Sequence, residues 1–315
     1  MRGKLWACGR VVGPALVLAV LVWRLGTGPF LEGLRSVDAE SLAAAAGILA
    51  VTTVCCAWRW TIVARGLGVE LSLPTAVAAY YRSLFLNSTL PGGIVGDVHR
   101  GVSHGRDVRD VNRALRAVAW ERVAGQVVQV LLVVVVLLVL PSPLESAMPP
   151  VAILLGLAAA AVLLLARVRP GGESAWGRVR RAAAGDIRDA LLARRAWLAV
   201  GLASVVVVAG YAATFMIAAR SAGTTAPPSR MLPLALLAVV AMVLPNVAGL
   251  GPREGVTAWA FAAAGLGAGR GVAAAVVYGV MVLVASLPGA VVLLVAWFRG
   301  TRLSAPPFRE GATHA

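Results

Sequence analysis

The sequence predicts an all-α, polytopic integral membrane bundle of about six full spans plus two broken helix pairs. Of its 315 residues, 59% are hydrophobic and 14% charged, with a mean hydropathy of +0.84. Soluble domains average about 45–50% apolar and about 25% charged. The apolar residues also fall in runs near the ~20 residues that a helix needs to cross ~30 Å of hydrocarbon. The basic residues punctuate those runs. Formal net charge is +15, and Lys4 is the only lysine among 29 basic residues. No basic face on a soluble module accompanies this excess, so it reads as topology set against an anionic cytoplasmic leaflet, with no nucleic-acid partner. Arginine bias beside abundant Ala, Val and Gly points to a GC-rich bacterial source, hence a bacterial plasma membrane.

The first run, Val11–Trp23, follows Arg2, Lys4 and Arg10. No small-residue cleavage site follows it, so an uncleaved span with a cytoplasmic N-terminus is predicted. Pro29–Glu40 alternates apolar and charged residues at a helical period and reads as a short helix on the outer interface. Leu42–Ala64 is the second span, and Trp58-Arg59-Trp60 near its end reads as a cytoplasmic rim. Arg116–Leu140 crosses outward to Pro141–Pro150, which lacks Lys and Arg. Val151–Ala166 returns to the segment 167–195, which carries eight arginines and is the clearest cytoplasmic marker. Within it, Ala175–Leu192 has the pattern of an amphipathic helix on the inner leaflet. Ala196–Ala219 and Gly271–Phe298 complete the spans, with both termini cytoplasmic. The domain reading is one membrane unit over 1–299 and a disordered tail over 300–315.

Two stretches must enter and leave on the same side, Thr75–Arg100 and Met231–Gly269. Each is broken by a Pro/Gly-rich turn, Asn87-Ser88-Thr89-Leu90-Pro91-Gly92-Gly93-Ile94-Val95-Gly96-Asp97 in the first. The second reads Leu244-Pro245-Asn246-Val247-Ala248-Gly249-Leu250-Gly251-Pro252-Arg253-Glu254. Proline removes a donor and glycine lowers helical stability, so both turns interrupt their helices. Unpaired backbone in a membrane is tolerated when it is buried in protein or lines a wet cavity. Two re-entrant hairpins meeting near the middle satisfy that requirement, and matching breaks in two halves point to a transport site. Two pairs of complete but kinked spans would preserve the charge topology equally well.

Asp97, Glu121 and Glu254 lie in or beside apolar segments, each with an arginine nearby (Arg100, Arg122 and Arg253). Intramembrane charge costs at least about 2.5–3.5 kcal/mol, so partners are required. Sequence neighbours on a helix do not face one another, so Glu121–Arg122 and Arg253–Glu254 are expected to pair across helices. One reading is a polar cavity in which the three arginines hold a lipid phosphate and the three acids orient them. The other is ordinary inter-helix ion pairing. Asn87 and Asn246 fit either helix capping or substrate contact.

Little else carries chemistry. Cys8, Cys55 and Cys56 form no CxxC, and the spacing of His99, His104, Asp97 and Asp107 does not favour a metal. Neither a metal nor a cofactor is expected, and the absence of a P-loop removes ATP hydrolysis as an internal drive. The GxxxG-like Gly267–Gly271 is a weak association signal among 34 glycines.

The LPGGxxGD run from Asn87 to Arg100, the Trp120-Glu121-Arg122-Val123 segment and Pro245–Glu254 together resemble the family of the lysylphosphatidylglycerol synthase transmembrane (flippase-like) domain. Pro252-Arg253 departs from its pattern, where a small or branched residue is expected before the glutamate. The resemblance implies movement of aminoacylated phosphatidylglycerol or isoprenoid-linked lipids between leaflets. It implies as site residues Asn87, Pro91, Gly92, Gly93, Gly96, Asp97, Arg100, Glu121, Arg122, Pro245, Asn246, Gly249, Gly251, Arg253 and Glu254. Lysyl transfer in that family belongs to a separate soluble domain. About 16 residues after the last span are too few for one, so an aminoacyl-transferase is not expected. Three function classes stand: a lipid flippase or scramblase, a membrane partner of a separate lipid-modifying enzyme or glycosyltransferase, and an intramembrane enzyme using Asp97 or Glu254.

Overall fold

The computed structural model describes residues 16–142, 183–188, 194–244, 246 and 250–303. The described chain is helical apart from its turns. Its helices are α1 (Leu16–Leu25), α2 (Gly28–Arg35), α3 (Ala39–Gly66), α4 (Leu73–Thr89), α5 (Val95–Asp107) and α6 (Val111–Val139). They continue as α7 (Arg194–Ser221), α8 (Pro228–Ala241), α9 (Pro252–Ala263) and α10 (Ala268–Leu303).

Four described helices are long and apolar enough to cross a bilayer: α3, α6, α7 from Ala196, and α10 to Phe298. α1 and α2 form a pair bent by 96°, which together make a fifth candidate. Val151–Ala166, most of the arginine-rich segment and the tail beyond Leu303 lie outside the described residues. The bundle has an apolar core that includes Phe215, Leu234, Phe261 and Met281, and it carries apolar side chains on its outside as well. Val51, Val127, Leu131, Val135, Leu202, Leu287 and Val291 face outward, while Thr52, Arg59, Glu121, Gln129, Ser204 and Thr257 are buried. Outward apolar side chains at this density suit hydrocarbon as solvent, and the chain is a multi-pass membrane protein.

Element boundaries shift where a cap decides them. Asp38 accepts the Ser41 backbone N–H at 2.8 Å and starts α3. Glu40 therefore belongs to α3, and the short helix expected over Pro29–Glu40 ends at Arg35. Asp110 accepts the Arg113 N–H at 2.9 Å, so α6 begins at Val111, ahead of Arg116. Glu121 is consequently ten residues inside that helix, about 15 Å from its start. α10 continues to Leu303, past the expected start of a disordered tail at 300.

The two broken pairs are α4–α5 and α8–α9. Their helices have 17, 13, 14 and 12 residues, or about 18–26 Å each, so none reaches across ~30 Å alone. α4 packs on α3 and α10, and α5 on α6; α8 packs on α6 and α7, and α9 on α10. The pairs meet at their tips, where the Gly92 N–H donates to the Asn246 carbonyl at 2.8 Å. Within the first pair, a Cβ on Gly96 would lie 2.1 Å from the Ser83 carbonyl oxygen, so only glycine lets α5 approach α4 this closely. Gly271 is spent on a similar contact within the chain, with Thr257 of α9.

Candidate functional site

Glu121 is the hub of a buried ionic network. It is fully enclosed, and its two oxygens accept from residues of three other helices. Arg59 of α3 donates from Nε at 2.9 Å and from Nη2, and the Tyr80 hydroxyl of α4 donates at 3.0 Å. Arg100 of α5 donates from Nη2 at 2.7 Å. Burying a carboxylate is expensive unless it is paired and hydrogen-bonded, and here it is both. The Arg100 guanidinium is held between two rings, 4.6 Å from the Trp60 centroid and 4.2 Å from that of Tyr80. Such stacking favours Arg over Lys. Gly125 makes room for Arg59, since a Cβ there would meet its Nη1 at 2.7 Å.

Asp97 is the second node. Its Oδ1 accepts from Ser83 Oγ at 3.2 Å and Arg100 Nε at 3.1 Å. Its Oδ2 accepts from Asn87 Nδ2 at 3.2 Å and from Arg122 Nη2. Asn87 also accepts the Gly96 N–H through Oδ1 at 2.8 Å, so it caps the start of α5 from across the turn. Glu121 and Arg122 thus pair across helices, each with partners other than the other.

Arg253 and Glu254 do the opposite, which corrects the expectation for sequence neighbours. Arg253 donates to Glu254 Oε1 from Nε at 3.1 Å and Nη2 at 2.6 Å. The rule against adjacent pairing holds for the body of a helix, but these residues occupy its first turn. Pro252 fits the first helical position, with its preset φ, and Glu254 turns back to accept the Gly251 N–H at 2.6 Å. Gly251 has φ +122°, a conformation glycine adopts freely. The departure from the family pattern at Pro252-Arg253 therefore makes a well-formed helix start and aims Arg253 inward, over the Tyr278 ring at 5.2 Å.

Between the hairpins lies a cavity of about 560 Å³. Arg122 and Arg253 line it, with Asp97, Asn87, Ser88 and Asn246 near the hairpin tips and Gln126 and Gln129 along α6. Val98, Leu115, Val239, Val243 and Val282 supply apolar walls. A smaller pocket of about 70 Å³ shares Arg122, Gln126 and Gln129 and reaches inward to Arg59 and Ser204.

The sequence-predicted residues divide into groups. Asn87, Gly93, Asp97, Arg122, Asn246 and Arg253 line the cavity. Arg100, Glu121 and Glu254 stand behind it, wholly buried, and hold the residues in front. Pro91, Gly92 and Gly251 lie in the two turns, and Gly96, inside α5, lets that helix approach α4. Pro245 and Gly249 lie outside the described residues. His104 stacks edge-on against Trp60 with centroids 5.7 Å apart, away from any acid cluster.

Sequence reasoning missed several members. Trp58-Arg59-Trp60 is not a rim: Trp58 is exposed, whereas Arg59 and Trp60 are buried in the network. Position near a helix end suggested an interface, and nothing local revealed that Glu121 lies opposite. Arg59 Nη1 also donates to Ser204 Oγ on α7 at 2.9 Å. Gln126 and Gln129 carried a signal, because with Arg122 they follow the i, i+4, i+7 spacing of one helix face. Tyr80 and Ser83 carried none.

The arginine-rich segment touches the same helix. In its described part, Asp186 accepts from Trp120 Nε1 at 3.0 Å and pairs with Arg116 at 3.2 Å, residues one and five positions before Glu121 on α6.

A family model described as the lysylphosphatidylglycerol synthase TM region matches residues 6–289. Comparison with curated proteins found no match.

Proposed function

The chain belongs to the family of the lysylphosphatidylglycerol synthase transmembrane region, and we propose that it moves lipids between leaflets as a flippase or scramblase. The candidate substrates are anionic or aminoacylated phospholipids and polyprenyl-linked lipids. The observation that carries this reading is the cavity between the two hairpin tips, lined by Arg122, Arg253 and Asp97 and walled by apolar side chains. A lipid needs such a composite path, polar for its head group and apolar beside it. Guanidinium groups suit the phosphate, because their planar fork pairs with its oxygens. Arginine distribution supports a bacterial plasma membrane with both termini in the cytoplasm.

The test is exchange of labelled phosphatidylglycerol and of a labelled polyprenyl phosphate in liposomes holding the purified protein. Wild type should accelerate exchange over empty vesicles, and Asp97→Asn and Arg253→Gln should lower the rate. No acceleration for either lipid sinks the proposal.

A second reading, a membrane partner of a separate lipid-modifying enzyme or glycosyltransferase, draws on the ties of Asp186 to Arg116 and Trp120. They give the arginine-rich segment a route to the network. Under that reading Arg253→Gln leaves cellular function intact, while neutralising the segment's arginines abolishes pull-down of the enzyme.

A further inference from the structure

Acid and base are unequally available in this cavity. Among the described residues Asp97 is the only carboxylate lining it, and the four hydrogen bonds that Asp97 accepts are all made within the chain. A carboxylate offers about four lone-pair sites, so none remains for a ligand. Glu121 and Glu254 are wholly enclosed and stand behind Arg100 and Arg253. An entering ammonium group would shed water and find no free anion, an uncompensated cost.

Donors are in surplus. Four guanidinium groups, Arg59, Arg100, Arg122 and Arg253, face three carboxylates, Asp97, Glu121 and Glu254, across this network. Arg122 spends only Nη2 on Asp97, and its Nε is buried without a partner at the cavity wall. Arg100 Nη1 is likewise buried and unpartnered. Arg253 commits Nε and Nη2 to Glu254 and still has Nη1. Each guanidinium carries five donors, so the site has unsatisfied N–H groups and net positive charge.

We propose that the cavity between the hairpin tips is a subsite for a phosphate head group of net negative charge, held by Arg122 and Arg253, and that it discriminates against head groups bearing free ammonium. Aminoacylated lipids fall on the rejected side. This takes its binding place from the translocation reading and narrows its substrate class. A phosphate oxygen completes Arg122 Nε, whereas the ammonium groups of a lysyl ester meet the positive charge of Arg122 and Arg253 with neutral acceptors and no free carboxylate to offset it.

Binding and movement are measured separately. Full-length protein in nanodiscs is titrated with phosphatidylglycerol, phosphatidylethanolamine and lysyl-phosphatidylglycerol, read by native mass spectrometry and thermal shift. Phosphatidylglycerol should bind about tenfold more tightly than the lysyl lipid, a difference of about 1.4 kcal/mol. Arg253→Gln should erase most of that preference. Ser88→Asp, which sets an uncommitted carboxylate on the cavity wall without touching the network, should raise binding of the lysyl lipid. Equal or tighter binding of the lysyl lipid by wild type overturns the subsite, as does a Ser88→Asp protein, folded by thermal melt, with unchanged preference. Inorganic phosphate is the second arm: if it binds and phosphatidylglycerol does not, the lipid assignment is overturned. Tight phosphatidylglycerol binding without leaflet exchange supports the subsite and sinks translocation. Equal exchange of both lipids overturns the subsite and leaves translocation standing.

Discussion

The Gly92 N–H donates to the Asn246 carbonyl at 2.8 Å, which joins the tips of two hairpins more than 150 residues apart in sequence. Gly92 and Asn246 lie in the breaks between helices, and in hydrocarbon backbone groups left unpaired cost several kcal/mol apiece. Each break therefore supplies part of what the other lacks. The cavity lies beside this joint, with Gly93 and Asn246 from the two tips among its lining residues.

Gly93→Val should loosen the joint. Gly93 has φ +67°, and a Cβ there would lie 2.9 Å from Asn246 Nδ2. The left-handed conformation alone costs a non-glycine residue about 1–2 kcal/mol. Lower thermal stability in detergent is expected, together with faster protease cleavage at the tips. Gly47→Ala, at a helix position with no atom within 4 Å, is the control and should be neutral or slightly stabilising. Equal melting temperatures for the two variants would refute the joint's importance.

Glu121→Gln should be more damaging. It removes the anion shared by Arg59 and Arg100, which are themselves buried. Leaving a buried charge uncompensated costs about 3–5 kcal/mol. Adding Arg59→Met to Glu121→Gln removes one of the stranded cations and should recover part of the loss. Denaturant unfolding of the single and double variants measures the coupling, and strictly additive losses would contradict the network.

Much of this was legible in the chain because its rules are one-dimensional. Span length and the two Pro/Gly breaks depend on local sequence, and so did the choice of Asp97, Glu121 and Arg253 as charges in need of partners. Which partner each charge takes depends on helices brought together in space. Arg59 therefore read as a rim residue, and Tyr80, Ser83 and Ser204 gave no sign of their roles. Arg253–Glu254 went astray for a different reason. The helical-face rule holds within the body of a helix, whereas at its start a side chain can fold back on its neighbour and on the Gly251 N–H.

Acid should weaken the start of α3. Asp38 has its pKa lowered first by the Ser41 backbone N–H and then by the Ser41 hydroxyl, despite being fully exposed. A depressed folded value means that the cap's contribution is whole above the ordinary Asp range, about pH 4, and is lost as pH falls through the lower folded value. Asp38→Asn keeps an acceptor without titrating. Its melting temperature should change less than that of wild type between pH 5 and 3, and parallel curves would remove Asp38 from the explanation.

Gly279→Ala separates placement of a guanidinium from stability of the fold. A Cβ at Gly279 would meet Arg253 Nη2 at 2.7 Å, Nη1 at 3.7 Å and Cζ at 3.6 Å. Only the far end of a flexible side chain needs to give way, so backbone packing is retained. Alanine in place of glycine inside a helix contributes about 0.5–1 kcal/mol of stability. The guanidinium must nonetheless swing from Tyr278 and from Glu254, whose other oxygen stays on the Gly251 N–H. Thermal stability should therefore hold or rise while phosphatidylglycerol exchange falls several-fold, toward the rate of Arg253→Gln. A smaller residue at 253 leaves the added methyl nothing to displace, so Gly279→Ala in the Arg253→Gln background should have no further effect on exchange. If exchange by Gly279→Ala matches wild type while Arg253→Gln is inactive, the charge at 253 matters and its position over Tyr278 does not.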